Sequence, residues 1–153
     1  MAQTGGNLQQ CIARNGIELR DFEMHLVMEY ANENLTFWMA CERFLVEPSF
    51  EFASDILEGY IVRNCENPIN VSKEILTRLT SDLISMPPRT TGVEKAMKHV
   101  YEILLGSYDR FSRKNMMRNG QRKRRSIVTS LISTSLGSCA GKGLTRQSWP
   151  GDA

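Results

Sequence analysis

This 153-residue chain has no long apolar run, no closely paired cysteines and no signal-like pattern in its first residues. No segment approaches the length needed to span a bilayer, and the N-terminal MAQTGGNLQQ has neither a basic start nor an apolar stretch. The four cysteines are far apart, and with only two histidines beside them they do not have zinc-site spacing. These absences predict an intracellular protein with reduced thiols and no metal or other cofactor.

The motifs of the common enzyme classes are also missing. The sequence has no glycine-rich phosphate loop, HExxH, GxSxG or dinucleotide-binding fingerprint. Its histidines, His25 and His99, lie beside apolar helical stripes, where a helix-surface or boundary position is more common than a catalytic base. Acidic pairs such as Asp21 and Glu23 are typical of solvated helix faces. The chain is therefore predicted not to be an enzyme.

Charge divides the chain into two parts. Residues 1–112 hold 10 Lys and Arg against 16 Asp and Glu, whereas residues 113–153 hold 9 Lys and Arg and a single acid. The second part is also rich in Ser, Gly and Thr. This pattern predicts a mildly acidic body followed by a basic tail that does not pack as part of it.

The body has the apolar spacing of helices, and no segment alternates as a strand would. The fold class is therefore predicted to be all-α. The expected helices are a short one ending at Asn15-Gly16, one over 17–30, one capped by Asn32 and apolar over 35–45, one after Pro48-Ser49, one capped by Ser72, one over 93–104 ended by Gly106, and a short last one from Tyr108.

One stretch carries a family resemblance. The run FEMHLVMEYANENLTFWMACERF resembles the signature F-x-x-x-L-x-x-E-[FY]-x-x-E-N-L-x-F-W-x-A-C-E of the RGS domain, the regulator-of-G-protein-signalling family. PINVS, EKAMKHVYEIL and SYDRF resemble later parts of that domain in the same order. The resemblance covers about residues 8–117. It implies an all-α, two-lobed helical bundle there. The basic tail over 118–153 is expected from its composition to be disordered.

The resemblance also implies a function. RGS domains are GTPase-activating proteins for Gα subunits, which supply their own catalytic arginine and glutamine. The expected partner is thus GTP-bound Gα, and the expected role is binding of its switch regions in their transition-state conformation. The alternative is an RGS-homology interaction module that binds a partner without accelerating hydrolysis.

Seven residues are expected at the Gα contact by their position in the resemblance. They are Tyr30, Glu33, Asn34, Asn70, Ile103, Ser107 and Arg110. Trp38 and Phe37 are expected to hold the helix beneath the first three of them.

Local explanations exist for several of these residues. Asn32 and Glu33 suit the start of a helix, the first as a cap and the second as a charge that complements the helix dipole. Asn70 is equally typical of a turn after Pro68, and Arg110 of a surface ion pair with helix neighbours of Asp109.

One position departs from the family pattern. An acidic residue commonly stands immediately before S-Y-x-R-F, whereas this chain has Gly106 there, and the segment ILLGSY is about one residue shorter. Loss of that carboxylate is expected to affect potency and the preference among Gα classes.

The tail combines a basic cluster, Arg122–Arg125, with apolar residues from Ile127 to Leu136 that would share a helical face. The segment 113–136 is therefore a candidate for binding an anionic membrane surface, with Cys139 as a candidate acylation site and Ser126 as a candidate phosphorylation site. Nuclear import, nucleic-acid attraction and a disordered solubilising tail are the alternatives. A nucleic-acid partner is not expected, and the location is expected to be cytoplasmic, with peripheral attachment to the plasma membrane.

Overall fold

A computed structural model of the chain describes residues 4–137, and its side chains from Leu8 to Ser133. All regular structure in this range is helical, which confirms the predicted all-α class. The helices are α1 (Thr4–Arg14), α2 (Ile17–Met28), α3 (Asn32–Val46), α4 (Phe50–Ile56), α5 (Lys73–Leu83) and α6 (Thr91–Gly137), and a π-helical segment, Leu57–Ile61, continues α4.

Several helix boundaries follow from local chemistry as predicted. Asn15, with a φ of 44°, ends α1 in a conformation that asparagine tolerates. Ser49 and Ser72 accept hydrogen bonds at their Oγ atoms from the amides of Phe52 (3.2 Å) and Ile75 (3.4 Å). These serines cap α4 and α5 by satisfying one free amide each.

The predicted cap of α3 was wrong by one residue. Asn32 is already helical, and the preceding Ala31 is the cap, without a side-chain hydrogen bond. The reason is the tight turn after α2, where Tyr30 has a φ of 54° and the Ala31 amide donates to the Leu26 carbonyl at 2.9 Å. The chain therefore re-enters a helix earlier than the sequence predicted.

The predicted end of a helix at Gly106 was also wrong, because α6 runs through this residue without a positive φ. Leu104, Tyr108 and Phe111 are buried and stand at helical spacing on both sides of the glycine. Burial of that continuous stripe outweighs the penalty of about 1 kcal/mol for glycine in a helix.

The core draws on every helix. Trp38 is 6% exposed and its ring lies 6.0 Å from that of Tyr101, between centroids. Cys11 and Cys41 are buried, which raises the pKa of both thiols above the usual range. The fully buried large side chains are Leu8, Leu19, Phe22, Leu26, Leu35, Phe37, Phe44, Ile56, Leu79, Leu83, Val93 and Leu104.

A buried carboxylate fixes the start of α6. The Gly92 amide donates to Asp82 Oδ2 at 2.8 Å, and Asp82 is 8% exposed. A Cβ added at Gly92 would lie 2.9 Å from this oxygen and 3.0 Å from Arg78 O and Leu79 Cα. Only glycine therefore allows α5 and the start of α6 to approach this closely.

The chain divides into two compact units between Ser112 and Arg113. The domain boundary predicted at 117/118 stays a prediction. Residues 118–137 of the predicted tail are helical, and every side chain from Met116 to Ser133 is exposed. Cys139 lies outside the described residues. No helix over 4–137 is both long enough and apolar enough to cross a bilayer.

Candidate functional site

The turn between α2 and α3 presents an aromatic side chain to solvent. Tyr30 is 93% exposed and has a φ of 54°, a left-handed conformation that is uncommon for residues other than glycine. Its amide donates to the Val27 carbonyl at 3.2 Å, so the backbone of the turn is tied to the end of α2. The ring is thus held outward by a well-defined backbone.

The first turn of α3 contains two further candidate residues. Asn34 is 4% exposed, and its Nδ2 donates to Ala31 O at 3.3 Å and to Glu33 Oε1 at 3.1 Å. Its Oδ1 is buried and accepts no hydrogen bond from the described part of the chain. The sequence placed Asn34 at the contact surface, and the structure places most of its side chain beneath that surface, where it orients Glu33.

An ion pair joins this corner to α6. Arg110 donates from Nε to Glu29 Oε1 at 2.9 Å and from Nη2 to Glu29 Oε2 at 2.8 Å, an arrangement in which both carboxylate oxygens are held. Arg110 Nη2 also donates to Ser107 Oγ at 2.9 Å. The bidentate contact with Arg110 lowers the pKa of Glu29 from 4.5 to about 2.

This ion pair changes the expectation for Arg110. The guanidinium does form a surface ion pair, but its partner stands 81 positions earlier in the chain and is not a helix neighbour of Asp109. Ser107, which is 1% exposed, lies beneath Arg110. Glu29 was not among the predicted site residues. It belonged to the matched family signature, but nothing in the local sequence pairs it with α6.

His25 lies behind the same carboxylate. Its Nε2 is 3.3 Å from Glu29 Oε1, and its ring lies 5.6 Å from that of Phe111, between centroids. The imidazole is therefore a boundary residue, between the core and Glu29. A second long-range contact, from the Tyr108 hydroxyl to Glu18 Oε1 at 2.7 Å, also joins α2 to α6.

Asn70 and Ile103 are placed differently. Asn70 is exposed in the loop before α5, and no hydrogen bond ties its side chain to residues 4–137. Ile103 is half-buried on α6. The structure therefore brings the corner of α2 and α3 together with Ser107 and Arg110, but no hydrogen bond or ion pair in the described chain joins Asn70 or Ile103 to them.

Gly106 leaves space beside Arg110. The residue is exposed, and an added Cβ would have only Arg110 Nη1 as a neighbour, at 3.6 Å, an ordinary contact distance. A larger side chain would therefore fit here. The carboxylate common in the family is therefore absent because residue 106 is glycine, and not because an acidic side chain would clash there.

We refer to Glu29, Tyr30, Glu33, Asn34, Ser107 and Arg110 together as the recognition edge. It brings together carboxylates, amide and hydroxyl groups, a guanidinium and an exposed phenol, but no nucleophile beside a base. Among residues 4–137, no group of three His, Cys, Asp or Glu side chains is placed to hold a metal ion.

The described body is an all-helical bundle with a polar edge at which α3, α6 and the turn between α2 and α3 meet. The family model described as the regulator of G protein signaling domain matches residues 8–118, and the chain belongs to this family. It is similar to "Regulator of G-protein signaling loco" of Drosophila melanogaster, with 26% identity over 106 residues. That match covers 66% of this chain and 7% of the relative, so the chain spans only a small part of the relative's length.

Proposed function

We propose that this protein binds the GTP-bound form of a Gα subunit and accelerates its GTP hydrolysis. Family membership supports regulation of G-protein signalling in general. The observation that carries the finer proposal is the Glu29–Arg110–Ser107 network, because it fixes two sequence-distant parts of the recognition edge against each other. A surface fixed in this way can favour one conformation of a partner over another.

The proposed mechanism is differential binding. Gα supplies the arginine that stabilises the transferred phosphoryl group and the glutamine that orients the attacking water. The recognition edge would bind the switch regions most tightly in their transition-state arrangement, which lowers the barrier without adding a reagent. A hundredfold acceleration requires a preference of only about 2.7 kcal/mol.

Each candidate residue would contribute a different chemical group to the contact with Gα. Tyr30 offers an exposed phenol ring, and Glu33 offers a carboxylate held by Asn34. Asn70 has its amide available in the loop before α5, and by resemblance it would reach towards the catalytic glutamine of Gα. An amide suits that position because it offers donors and an acceptor without adding charge near a phosphate.

The test compares three nucleotide states of Gα. We expect the tightest binding to Gα with GDP and aluminium fluoride, which resembles the transition state, weaker binding to the GTP-analogue form, and the weakest to the GDP form. Single-turnover GTP hydrolysis should be faster with the protein present. Equal affinity for the three states, together with an unchanged hydrolysis rate across the Gα classes, would overturn the proposal.

A matched pair of variants tests the role of Asn70. Asn67 and Asn70 are exposed asparagines in the same loop, on either side of Pro68. Asn70→Ala should reduce the acceleration markedly, while Asn67→Ala should leave it close to the original value. Equal effects of both variants would show that the amide at position 70 has no special role.

The second candidate function is an interaction module without GTPase activation, and Gly106 is the observation that favours it. This position lacks the acidic residue common in the family, although an added Cβ would meet only Arg110 Nη1 at 3.6 Å. Capture of Gα without acceleration, unchanged in Gly106→Asp, would support this alternative. A gain in acceleration in Gly106→Asp would instead show that the edge is an activating one that lacks a carboxylate.

The charge of the tail bears on the location of the protein. We propose a cytoplasmic protein attached peripherally to a membrane, because residues 113–137 contain seven Lys and Arg and no Asp or Glu, which favours an anionic membrane surface. Fractionation of cells into soluble and membrane pools would test this location.

A further inference from the structure

The part of α6 after Ser112 has an apolar face whose described side chains are exposed. Ile127, Val128, Leu131 and Ile132 are 54–66% exposed and recur at the i, i+1, i+4, i+5 spacing of one helical face. Met116 and Met117 fall on the same side by helical spacing and are 76% and 73% exposed. Apolar residues that are scattered singly need no explanation, but a contiguous helical face of this kind marks an interaction surface.

The opposite face is polar, and residues 126–137 contain no charged side chain. Thr129 Oγ1 donates to the Arg125 carbonyl at 2.9 Å, and Ser133 Oγ donates to the Thr129 carbonyl at 2.7 Å. These hydroxyl groups therefore have partners within the helix itself. Burial of the apolar face would therefore leave these hydroxyl groups with their partners in the helix.

The charge of the segment has a single sign. Residues 113–137 contain seven Lys and Arg and no Asp or Glu, and four of the seven form the unbroken cluster Arg122–Arg125, directly before the apolar face. Every one of these side chains is exposed. The segment thus places a dense positive charge within one helical turn of an uncovered apolar face.

An anionic lipid surface fits this combination of positive charge and apolar face better than a second copy of the helix, a nucleic acid or a groove on an acidic protein. A second copy of the helix would bring two clusters of like charge together if packed in parallel, and would leave both clusters without a counter-charge if packed antiparallel. A nucleic acid would neutralise the cluster but leave the apolar face in water. A groove on an acidic protein would need an apolar trough and a row of carboxylates in one fixed register with the helix. An anionic lipid surface satisfies both features without such a register, since phosphate and carboxylate headgroups neutralise the basic cluster and the acyl boundary takes up the apolar face.

We propose that residues 113–137 form an interfacial helix that binds an anionic phospholipid surface, with Ile127, Val128, Leu131 and Ile132 buried among the lipids and Arg122–Arg125 in contact with the headgroups. The long arginine side chains that fall near the apolar face can extend their charge to the headgroup level. This inference is independent of the recognition edge and of any Gα partner.

The test measures binding of the full chain to vesicles in the absence of Gα. Vesicles of phosphatidylcholine alone should bind weakly, and vesicles with one third phosphatidylserine should bind strongly and release the protein as salt is raised. Each basic residue near an anionic surface contributes roughly a fivefold factor, so changing all four residues of Arg122–Arg125 to Gln should reduce binding by several hundredfold. Equal binding to both vesicle types would overturn the proposal.

Paired variants test the apolar face. Leu131→Ser combined with Ile132→Ser should remove most vesicle binding, whereas Ser130→Ala combined with Ser133→Ala, on the opposite face, should preserve it. Unchanged thermal unfolding of the body would show that all variants are folded. Equal loss in both pairs would overturn the assigned face.

Two further outcomes would assign a different occupant and overturn the lipid proposal. One is a lipid-free dimer, detected by sedimentation, that the Leu131→Ser, Ile132→Ser variant abolishes. The other is binding to duplex DNA that is tighter than binding to the anionic vesicles and is unaffected by the same variant.

Discussion

Helix α6 contains two apolar stripes of similar character with opposite surroundings. In its first part, Val93, Val100 and Leu104 are fully buried in the body. In its last part, Ile127 and Leu131 are 56% and 66% exposed. The comparison teaches that helical spacing identifies a face, whereas the surrounding chain decides whether that face becomes core or remains available to a partner.

The largest loss of stability should come from a substitution at the centre of the body. Trp38→Ala removes a side chain that is 6% exposed and contacts Tyr101, so it should lower the free energy of unfolding by about 3–5 kcal/mol. Thermal and denaturant unfolding measure this loss. Asn70→Ala is the control in an exposed loop and should leave stability nearly unchanged. Similar losses for both would show that Asn70 is structural.

The two stripes of α6 can be compared directly. Leu104→Ala should destabilise the protein by about 2–4 kcal/mol, because Leu104 is fully buried. Leu131→Ala makes the same chemical change at an exposed position and should alter stability by no more than about 0.5 kcal/mol. Urea titrations of both variants provide the measurement. If Leu131→Ala were as costly as Leu104→Ala, the second stripe would have to be covered within the protein.

The start of α6 should show an intermediate effect. Asp82→Ala leaves the buried Gly92 amide without its acceptor and should cost about 1–3 kcal/mol in unfolding free energy. Asp82→Asn retains a side-chain oxygen and should cost less. Equal losses in the two variants, measured by thermal unfolding, would show that the charge of Asp82 matters more than the presence of an acceptor oxygen.

The smallest effect concerns the ion pair of the recognition edge. The pKa of Glu29 is lowered from 4.5 to about 2, mainly by its hydrogen bonds from Arg110. A lowered folded-state pKa means that the stabilisation is present above pH 4.5 and is lost as the pH falls towards 2. Glu29→Gln should therefore cost up to about 1 kcal/mol at neutral pH, because the partner Arg110 is largely exposed, and the difference should vanish in acid.

A double-variant cycle checks this assignment. Arg110→Gln should produce a loss similar to that of Glu29→Gln, and the two changes together should cost little more than either alone. Additive losses would contradict the ion pair. A difference between the original chain and Glu29→Gln that persists at low pH would contradict the assigned cause of the pKa shift.

Local chemistry was enough to predict much of the fold. The serine caps at Ser49 and Ser72 and the turn at Asn15 depend on side-chain and backbone preferences that act over a few residues. Gly106 shows the limit of such reasoning. Its low helix propensity is a local property, and it is overruled by a buried stripe that continues on both sides of it.

The recognition edge was less accessible to sequence reasoning. The resemblance supplied Tyr30, Glu33 and Asn34 together, but their environments differ, since Tyr30 is 93% exposed and Asn34 only 4%. The pairing of Glu29 with Arg110 depends on how α2 packs beside α6 and has no local signal. Contacts between distant positions require the folded chain.

The pairing of Glu29 with Arg110 also determines when the recognition edge can form during synthesis of the chain. Glu29 and Arg110 are 81 positions apart, and Glu18 and Tyr108 are 90 apart. A nascent chain that has released only its first five helices cannot form either contact, and closure over such separations is entropically late in folding. A ribosome-bound or prematurely terminated product would therefore expose Glu29 without the guanidinium that pairs with it.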